Sequence, residues 1–128
     1  VVCLTDVISS VASILNIQKP SNSMEDSYDI SPILLGVDQP IRKNVVHHSI
    51  DGTFAIRQGT WKLILGKNSG GFSRSLKIEG IPVETAGQLY NLADDPGEKD
   101  NLYVQHPEKI MELTGILDGY KSNGRSNQ

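Results

Sequence analysis

The chain has 128 residues, of which 38% are hydrophobic, 21% charged and 5% aromatic. This balance is typical of one small globular domain and excludes a collagen-like, coiled-coil or disulfide-rich chain. Twelve Lys and Arg residues stand against 15 Asp and Glu residues, a net charge of -3, so the basic surplus of a typical nucleic-acid-binding protein is absent. No apolar run approaches the roughly 20 residues of a membrane helix. We therefore expect neither nucleic acid nor membrane as a partner.

The first 43 residues predict a helix followed by a connector. Apolar residues recur at helical spacing through residues 4–16, with Thr5 or Asp6 as the N-terminal cap and Asn16 at the left-handed end. Residues 18–28 are polar and predict a surface loop. Ser31-Pro32 starts a single helical turn through residue 35. The chain opens with Val1 rather than Met and shows no signal peptide, as expected for a piece of a longer protein.

Residues 45–65 predict three antiparallel strands, at 45–50, 53–57 and 60–65. Asp51-Gly52 is a strong signal for a two-residue hairpin turn, and Gln58-Gly59 is a weaker one. A long irregular loop is predicted for residues 66–87, and residues 88–92 supply a fourth strand. A helix starts at Pro107 and runs to about Tyr120, followed by a loose tail at 122–128.

The two turns predict the pairing of the strands, with Ile50 opposite Thr53 and Arg57 opposite Thr60. The predicted core face carries Val45, His47, Phe54, Ile56, Trp61 and Leu63. The opposite, half-cationic face carries Val46, His48, Ile50, Arg57, Lys62 and Ile64. We expect Trp61, Phe54 and Ile56 to pack on Ile110, Leu113 and Leu117 of the last helix. The fold class is therefore α+β, a four-stranded antiparallel sheet on a C-terminal helix.

The chemistry-bearing residues do not assemble a complete active site. No Gly-rich phosphate loop and no G-x-S-x-G motif is present. The acidic run of residues 94–100 fails the register of a calcium-binding EF-hand and is interpreted as a hydrogen-bonded turn. His47 and His48 are adjacent in a strand and point to opposite faces, so they cannot jointly hold one ion. Cys3 is alone and is interpreted as a small apolar residue rather than a nucleophile.

Four segments carry a resemblance to a known family. Residues 54–63, FAIRQGTWKL, resemble the F-A-I-R-x-G-x-W-K-L segment near the C-terminus of sulfatases of the arylsulfatase type, within the alkaline-phosphatase-like superfamily. Residues 88–102, QLYNLADDPGEKDNL, are similar to the L-Y-[DN]-L-x-x-D-P-x-E-x-x-N-L segment of the same family. Residues 3–7 and 29–36 resemble two further stretches that come earlier in the family's last third. Four motifs in order make the resemblance specific.

The resemblance implies that the chain is the C-terminal part of such an enzyme. Residues 1–43 would end the large α/β domain, so that the first helix belongs to that domain, and residues 44–121 would form the C-terminal subdomain. Sulfatases hydrolyse sulfate esters with a formylglycine made from the Cys or Ser of a C/S-x-P-x-R motif, and they hold calcium mainly in the large domain. This chain lacks the motif. We therefore expect no catalytic residue, metal ligand or cofactor here, with calcium and formylglycine implied for the parent only.

The resemblance also implies the partners and the location. The parent would act on a sulfated carbohydrate or an aryl sulfate, this chain would pack on the missing N-terminal domain, and the protein would be periplasmic or extracellular. His48, then His47, then Arg57 are the candidate substrate-binding residues, because N–H donors and cations favour a sulfated sugar. The competing interpretation is that Arg57 and His48 hydrogen-bond to the large domain, while Lys62 is solvated.

Two other functions remain open from the sequence. The chain could be a freestanding carbohydrate-binding or interaction module without catalysis. It could also belong to another alkaline-phosphatase-like enzyme, such as a phosphodiesterase, although the FAIRQGTWKL segment weighs against that. The coding sequence upstream of Val1 separates all three.

Overall fold

The structure, a computed structural model, describes residues 1–20, 22–67 and 87–127. Its elements in chain order are α1 (Asp6–Ile14), α2 (Ser31–Leu34), β1 (Asn44–His48), β2 (Phe54–Gln58), β3 (Trp61–Ile64), β4 (Gln88–Asn91) and α3 (Pro107–Asn123). The chain divides into two compact units, Val1–Val45 with Asp118–Gln128, and Val46–Leu117. The long loop predicted for residues 66–87 lies outside the described residues except at its two ends. No helix in the described ranges is long and apolar enough to cross a membrane.

The four strands form one sheet in the order β1-β2-β3-β4. β2 pairs with β3, and β3 with β4, in antiparallel fashion. With α3 added, this is the predicted four-stranded antiparallel sheet and C-terminal helix, so the α+β fold class is confirmed.

The turn between β2 and β3 is one residue further along the chain than predicted. Trp61 pairs with Gln58 and Ile56 with Leu63, so the turn residues are Gly59 and Thr60. Gly59 has a φ of 57°, and positive φ at the first turn position is the pattern that a tight hairpin of this kind requires of glycine. Because moving the turn by one residue moves every partner by two, the faces of β2 and β3 stay as predicted.

The loop between β1 and β2 is longer than the predicted two-residue turn, and this difference exchanges the two faces of β1. Ser49 N–H donates to the Thr53 carbonyl, 3.0 Å, and Gly52 N–H donates to the Ser49 carbonyl, 3.0 Å. Ser49 therefore lies opposite Thr53 across a three-residue loop in which Gly52 takes a φ of 82°, the pattern of a turn closed by a glycine bulge. Counting back along antiparallel strands puts His48 opposite Phe54 and Val46 opposite Ile56. The predicted faces of β1 are thus wrong.

The core of the second unit lies between the sheet and α3. Its fully buried members come from β2, β3, β4 and α3 and are Ile56, Leu63, Leu89, Leu113 and Leu117. Val46, Trp61 and Ile110 pack against this cluster while staying partly exposed. The predicted packing is correct for Trp61 and Ile56 but wrong for Phe54, which is 37% exposed.

The first unit contains a helix whose polar face is the buried one. α1 buries Asp6, Ser9, Ser10 and Ala12. Its apolar stripe is exposed instead, with Val7 at 50%, Val11 at 46% and Ile14 at 61%. The buried hydroxyls and carboxylate are hydrogen-bonded within this unit, as buried polar groups generally are. An apolar stripe that faces water is thermodynamically unfavourable for a helix of a finished domain.

The ends of α1 follow the sequence only in part. Asn16 adopts the predicted left-handed conformation, with a φ of 54°. Thr5 is the residue before the helix, but it makes no side-chain cap bond. Asp6 instead accepts the Cys3 N–H, 2.7 Å, because its carboxylate turns back toward the preceding residues.

Candidate substrate-binding surface

A row of polar side chains crosses the face of the sheet opposite the core. Arg57 pairs with Lys62, and Lys62 pairs with Tyr90, so the three side chains project on one face of β2, β3 and β4. Arg57 is half-buried, and its Nε donates to the Gly59 carbonyl, 3.0 Å. Among the described residues, Arg57 makes no ion pair. Arg57 is therefore the cation of this row that can bind an anion without first losing a carboxylate partner.

Lys62 is not the solvated cation that the sequence predicted. Its Nζ lies 2.6 Å from Glu98 Oε1, and the two side chains are only 18% and 33% exposed. Glu98 has a φ of 53°, an uncommon backbone conformation for a residue with a side chain. The Glu98 carboxylate neutralises Lys62, so this face is less cationic than composition alone indicated.

The turn that carries Glu98 is held by its own acidic residues. The Asp95 carboxylate accepts the backbone N–H groups of Lys99 and Asp100, 2.6 and 2.8 Å. Asn91 Nδ2 donates to Asp94 Oδ2, 2.5 Å. These are the bonds of a polar turn, as the sequence indicated for residues 94–100. Among the described residues, no group of three His, Cys, Asp or Glu side chains is placed to hold a metal ion.

Tyr90 closes the row on the β4 side and was not singled out by the sequence. It is almost fully buried, and its hydroxyl donates to Gln88 Oε1, 2.8 Å. Burial raises the pKa of Tyr90 to about 12, with the Glu98 and Asp95 carboxylates adding to the effect. Tyr90 therefore stays protonated at neutral pH. The alternation of β4 allowed a buried tyrosine here, but nothing in the sequence marked its hydroxyl as bonded.

His47 and His48 lie on the edge strand and face opposite sides of the sheet. The His48 ring meets the Phe54 ring edge-on, with centroids 6.1 Å apart, and its Nδ1 lies 3.0 Å from the Ser49 carbonyl. Because a carbonyl only accepts, Nδ1 is the protonated nitrogen of His48 in this bond. The prediction that His48 shares a face with Arg57 and Lys62 is wrong. The three-residue loop puts His47 there instead.

The surroundings of His47 favour its neutral form. Burial by the neighbouring protein lowers its pKa, and the charge of Lys62 lowers it further, while the Glu98 carboxylate opposes both. A neutral imidazole has one N–H donor and one acceptor nitrogen. At neutral pH, His47 is therefore suited to hydrogen-bond a hydroxyl or amide group rather than to attract an anion by charge.

His106 has the structural role expected of the residue before Pro107. Its carbonyl accepts the N–H groups of Lys109 and Ile110, 3.1 and 3.3 Å, at the start of α3. Its ring Nδ1 lies 2.9 Å from Glu108 Oε1, and the ring meets Trp61 edge-on at 5.1 Å. The hydrogen bond from His106 lowers the pKa of Glu108. These contacts hold the start of α3 against the start of β3.

Comparison with known proteins identifies sulfatases as the relatives of this chain. No family model matches the chain. An N-acetylgalactosamine-6-O-sulfatase of Bacteroides thetaiotaomicron is 33% identical over 117 residues, which are 91% of this chain and 23% of that protein. The chain thus spans about a quarter of the length of this curated relative.

Solved structures agree on the fold. A Bacteroides thetaiotaomicron protein described as "6S-sulf", from a locus for the metabolism of multiple glycosaminoglycans, is 31% identical with a TM-score of 0.71. The match covers 91% of this chain and 24% of that one. A 2-O GAG sulfatase is 21% identical with a TM-score of 0.62, over 92% and 24% of the two chains, and shows the fold alone. A protein solved in complex with its substrate D-glucosamine-2-N,6-O-disulfate is 19% identical with a TM-score of 0.64. The match covers 91% of this chain and 23% of that one, and it too shows the fold alone. The resemblance to sulfatases is confirmed, and the low coverage is consistent with a C-terminal part.

Proposed function

We propose that this chain, whose sequence and structure neighbours are sulfatases, is the C-terminal part of an enzyme that hydrolyses sulfate esters of a sulfated carbohydrate. The observation that carries the proposal is the 33% identity over 91% of the chain to an N-acetylgalactosamine-6-O-sulfatase. A second relative belongs to a locus for glycosaminoglycan metabolism. We therefore place the substrate among sulfated amino sugars or the oligosaccharides that contain them, ahead of small aryl sulfates.

In this proposal the chain supports the enzyme without performing its chemistry. The formylglycine and the calcium belong to the upstream part, and we assign no step of the reaction to the residues described here. Residues 1–43 end the large domain, residues 44–121 form the C-terminal subdomain and residues 122–128 the tail. The protein that contains them is periplasmic or extracellular. Alone, the 128-residue chain is inactive.

The exposed stripe of α1 supports the presence of that upstream domain. Val7, Val11 and Ile14 are each about half exposed while the polar face of the same helix is buried. The missing partner of this stripe is the upstream three quarters of the enzyme. Val11→Glu should change the stability of the 128-residue chain little and lower that of the full-length enzyme strongly. Met111→Glu, at an exposed position of α3, is the matched control, and equal effects of Val11→Glu in both proteins would contradict this docking.

The edge strand supports a role at the rim of the substrate cleft. β1 is the outermost strand of the sheet, so a saccharide lying along it meets His47 on one side and His48 on the other. Arg57, one strand further in, has no carboxylate partner among the described residues and is suited to a sulfate group. The order in which the three are expected to matter stays His48, His47, Arg57: both histidines are exposed, and the bond of His48 Nδ1 to the Ser49 carbonyl holds its ring and leaves Nε2 for a ligand.

The test of this role is kinetic and uses the full-length enzyme. We expect His48→Ala to raise KM for a sulfated oligosaccharide and to leave a small aryl sulfate unaffected. Lys62→Met, which removes a cation already paired with Glu98, is the comparison variant on β3. If His48→Ala leaves both substrates unaffected, or lowers only the thermal stability, His48 is structural and the cleft assignment fails.

The test of the function itself is the complete coding sequence. We expect a C/S-x-P-x-R motif upstream of Val1, sulfate release from a 6-O-sulfated amino sugar, and loss of that release when the Cys or Ser of the motif becomes Ala. An upstream region without the motif, or no sulfate release by the full-length protein, contradicts the proposal. Binding of sulfated oligosaccharide by a protein without hydrolysis would instead favour a freestanding module.

A further inference from the structure

The C-terminal residues lie against the loop that follows α1. These residues were predicted as a loose tail, yet Ser126 and Asn127 make four hydrogen bonds to residues 25–28, about 100 positions earlier in the chain. The bonds are Tyr28 Oη to the Ser126 carbonyl, Ser126 N to Asp26 Oδ1 (2.8 Å), Asn127 N to the Glu25 carbonyl (2.9 Å) and Asn127 Nδ2 to the Ser27 carbonyl (2.6 Å). Arg125 adds an ion pair to Glu25 at 3.5 Å.

The same loop contacts the polar face of α1 on its other side. Ser9 N donates to Ser27 Oγ, 3.1 Å, and Ser9 Oγ donates to the Ser27 carbonyl, 3.2 Å. The Tyr28 N–H donates to Asp6 Oδ1, 3.1 Å. Residues 25–28 are therefore held between α1 and the C-terminal residues, and hydrogen bonds run to both.

A buried cation ties these contacts together. Arg42 Nη2 lies 2.9 Å from Asp6 Oδ1 and 2.5 Å from the Asp26 carbonyl, and the guanidinium sits 4.5 Å from the centroid of the Tyr28 ring. Arg42 and Asp6 are both buried. A buried charge that loses its partner is costly, so the contact between Asp6 and Arg42 must stay intact. The Tyr28 ring covers the guanidinium, and the bond to Ser126 holds the Tyr28 hydroxyl.

We propose that residues 125–127 are a strap that clamps the 25–28 loop onto the polar face of α1. The strap closes a span of about 100 residues, and the entropy of closing it is offset only because several bonds form together. Because α1 buries its polar face against the strapped loop, the strap also keeps the apolar stripe of α1 exposed. Opening the strap frees the loop, exposes the Asp6–Arg42 pair and releases α1. This inference does not depend on the proposed enzymatic function.

The experiment is amide hydrogen exchange on the 128-residue chain and two variants. One variant is truncated after Gly124, and the other is Tyr28→Phe. The reporters are the amides of Ser9 and Tyr28, which donate to Ser27 and Asp6. The Leu65 amide, which donates to the Phe54 carbonyl in the other unit, is the internal reference. We expect the truncation to speed exchange of the reporters at least tenfold and Tyr28→Phe to speed it roughly 2- to 10-fold, the range for one hydrogen bond.

Tyr103→Phe is the matched control, because it removes a tyrosine hydroxyl from the other unit. It should leave Ser9 and Tyr28 exchange unchanged. The proposal is overturned if the truncated chain exchanges these amides at the rate of the intact chain. It is also overturned if Leu65 accelerates as much as the reporters in the Tyr28→Phe variant, since the effect would then be a general loss of structure.

Discussion

Leu113→Ala should destabilise the unit formed by residues 46–117 by about 2–5 kcal/mol. Leu113 is fully buried between α3 and the sheet, against Ile56, Leu63 and Leu89. Removing its side chain costs the transfer free energy of the lost carbon atoms plus a cavity that the surrounding strands cannot fill. A small domain has only about 5–15 kcal/mol of net stability, so the loss is a large share of the total. With a urea m-value of about 1–3 kcal/mol/M, the midpoint should fall by on the order of 1–2 M.

The assay is urea unfolding of the 128-residue chain followed by tryptophan fluorescence. The chain has a single tryptophan, Trp61, which packs against the same core, so the signal reports this unit. Met111→Ala is the control because Met111 lies on the same helix, 71% exposed, and Leu and Met have similar helix propensities. Its effect should stay within about 0.5 kcal/mol. Equal midpoints for the two variants would show that α3 does not cover the sheet and would refute the core assignment.

Two further predictions concern backbone conformation and charge. Gly59→Ala should destabilise the β2–β3 hairpin by about 1 kcal/mol, because φ is positive there. Gly115→Ala, in α3 with open space around the new methyl group, should instead stabilise by about 0.5–1 kcal/mol, and the two melting temperatures should shift in opposite directions. Glu98→Gln should lower the pKa of His47 further and Lys62→Met should raise it, because the carboxylate favours the imidazolium and the ammonium disfavours it. NMR titration of the ring protons measures both, and shifts of the same sign would contradict the assigned neighbours.

The strands and the last helix were predictable because each one repeats a simple pattern. α3 starts at Pro107 as expected, and its buried residues Leu113 and Leu117 are four apart, on one helical face. The core face of β2 and β3 was also predictable, since the alternation of each strand is independent of where the turn falls. Phe54 is the first residue of β2, and it is 37% exposed and lies outside the core cluster. Alternation predicts which face of a strand a residue occupies, but not whether another element covers that part of the face.

The periodicity of α1 alone does not predict its orientation, and the exposure of its apolar stripe follows only from the expectation that α1 belongs to a missing large domain. The stripe of Val7, Val11 and Ile14 favours burial, yet in the described residues the buried side carries Asp6 and Ser9. Those polar groups also rely on partners far along the chain, such as Arg42 at 36 positions. No local pattern reports partners at that separation, and the tail that joins this network was for the same reason predicted to be loose.

The sequence named the candidate site residues, but it assigned the two histidines to the wrong faces of the sheet. Asp51-Gly52 is a strong two-residue turn signal, and it assigned His48 to the face of Arg57. The structure uses Ile50, Asp51 and Gly52 as a longer loop, and His47 takes that face. The longer loop places Val46 on the core face, where it packs with Ile56 and its neighbours. With the predicted register the imidazole of His47 would occupy that position, and its polar nitrogens would need partners.

Deletion of Ile50 tests whether the packing of Val46, rather than a fixed three-residue loop, sets this register. Ile50 is largely exposed, and without it Asp51-Gly52 forms the favoured two-residue turn while Ser49 still pairs with Thr53. We therefore expect the deletion to be tolerated within about 1 kcal/mol and to leave His48 against Phe54. The His48 ring protons should keep the ring-current shift that Phe54 imposes, and Glu98→Gln in the shortened chain should still move the pKa of His47. If that response passes to His48, the shortened chain keeps a three-residue loop at the expense of Val46 burial, and the explanation from Val46 packing is wrong. The two histidines then exchange faces with a change of loop length, and the order of importance proposed for the cleft changes with them.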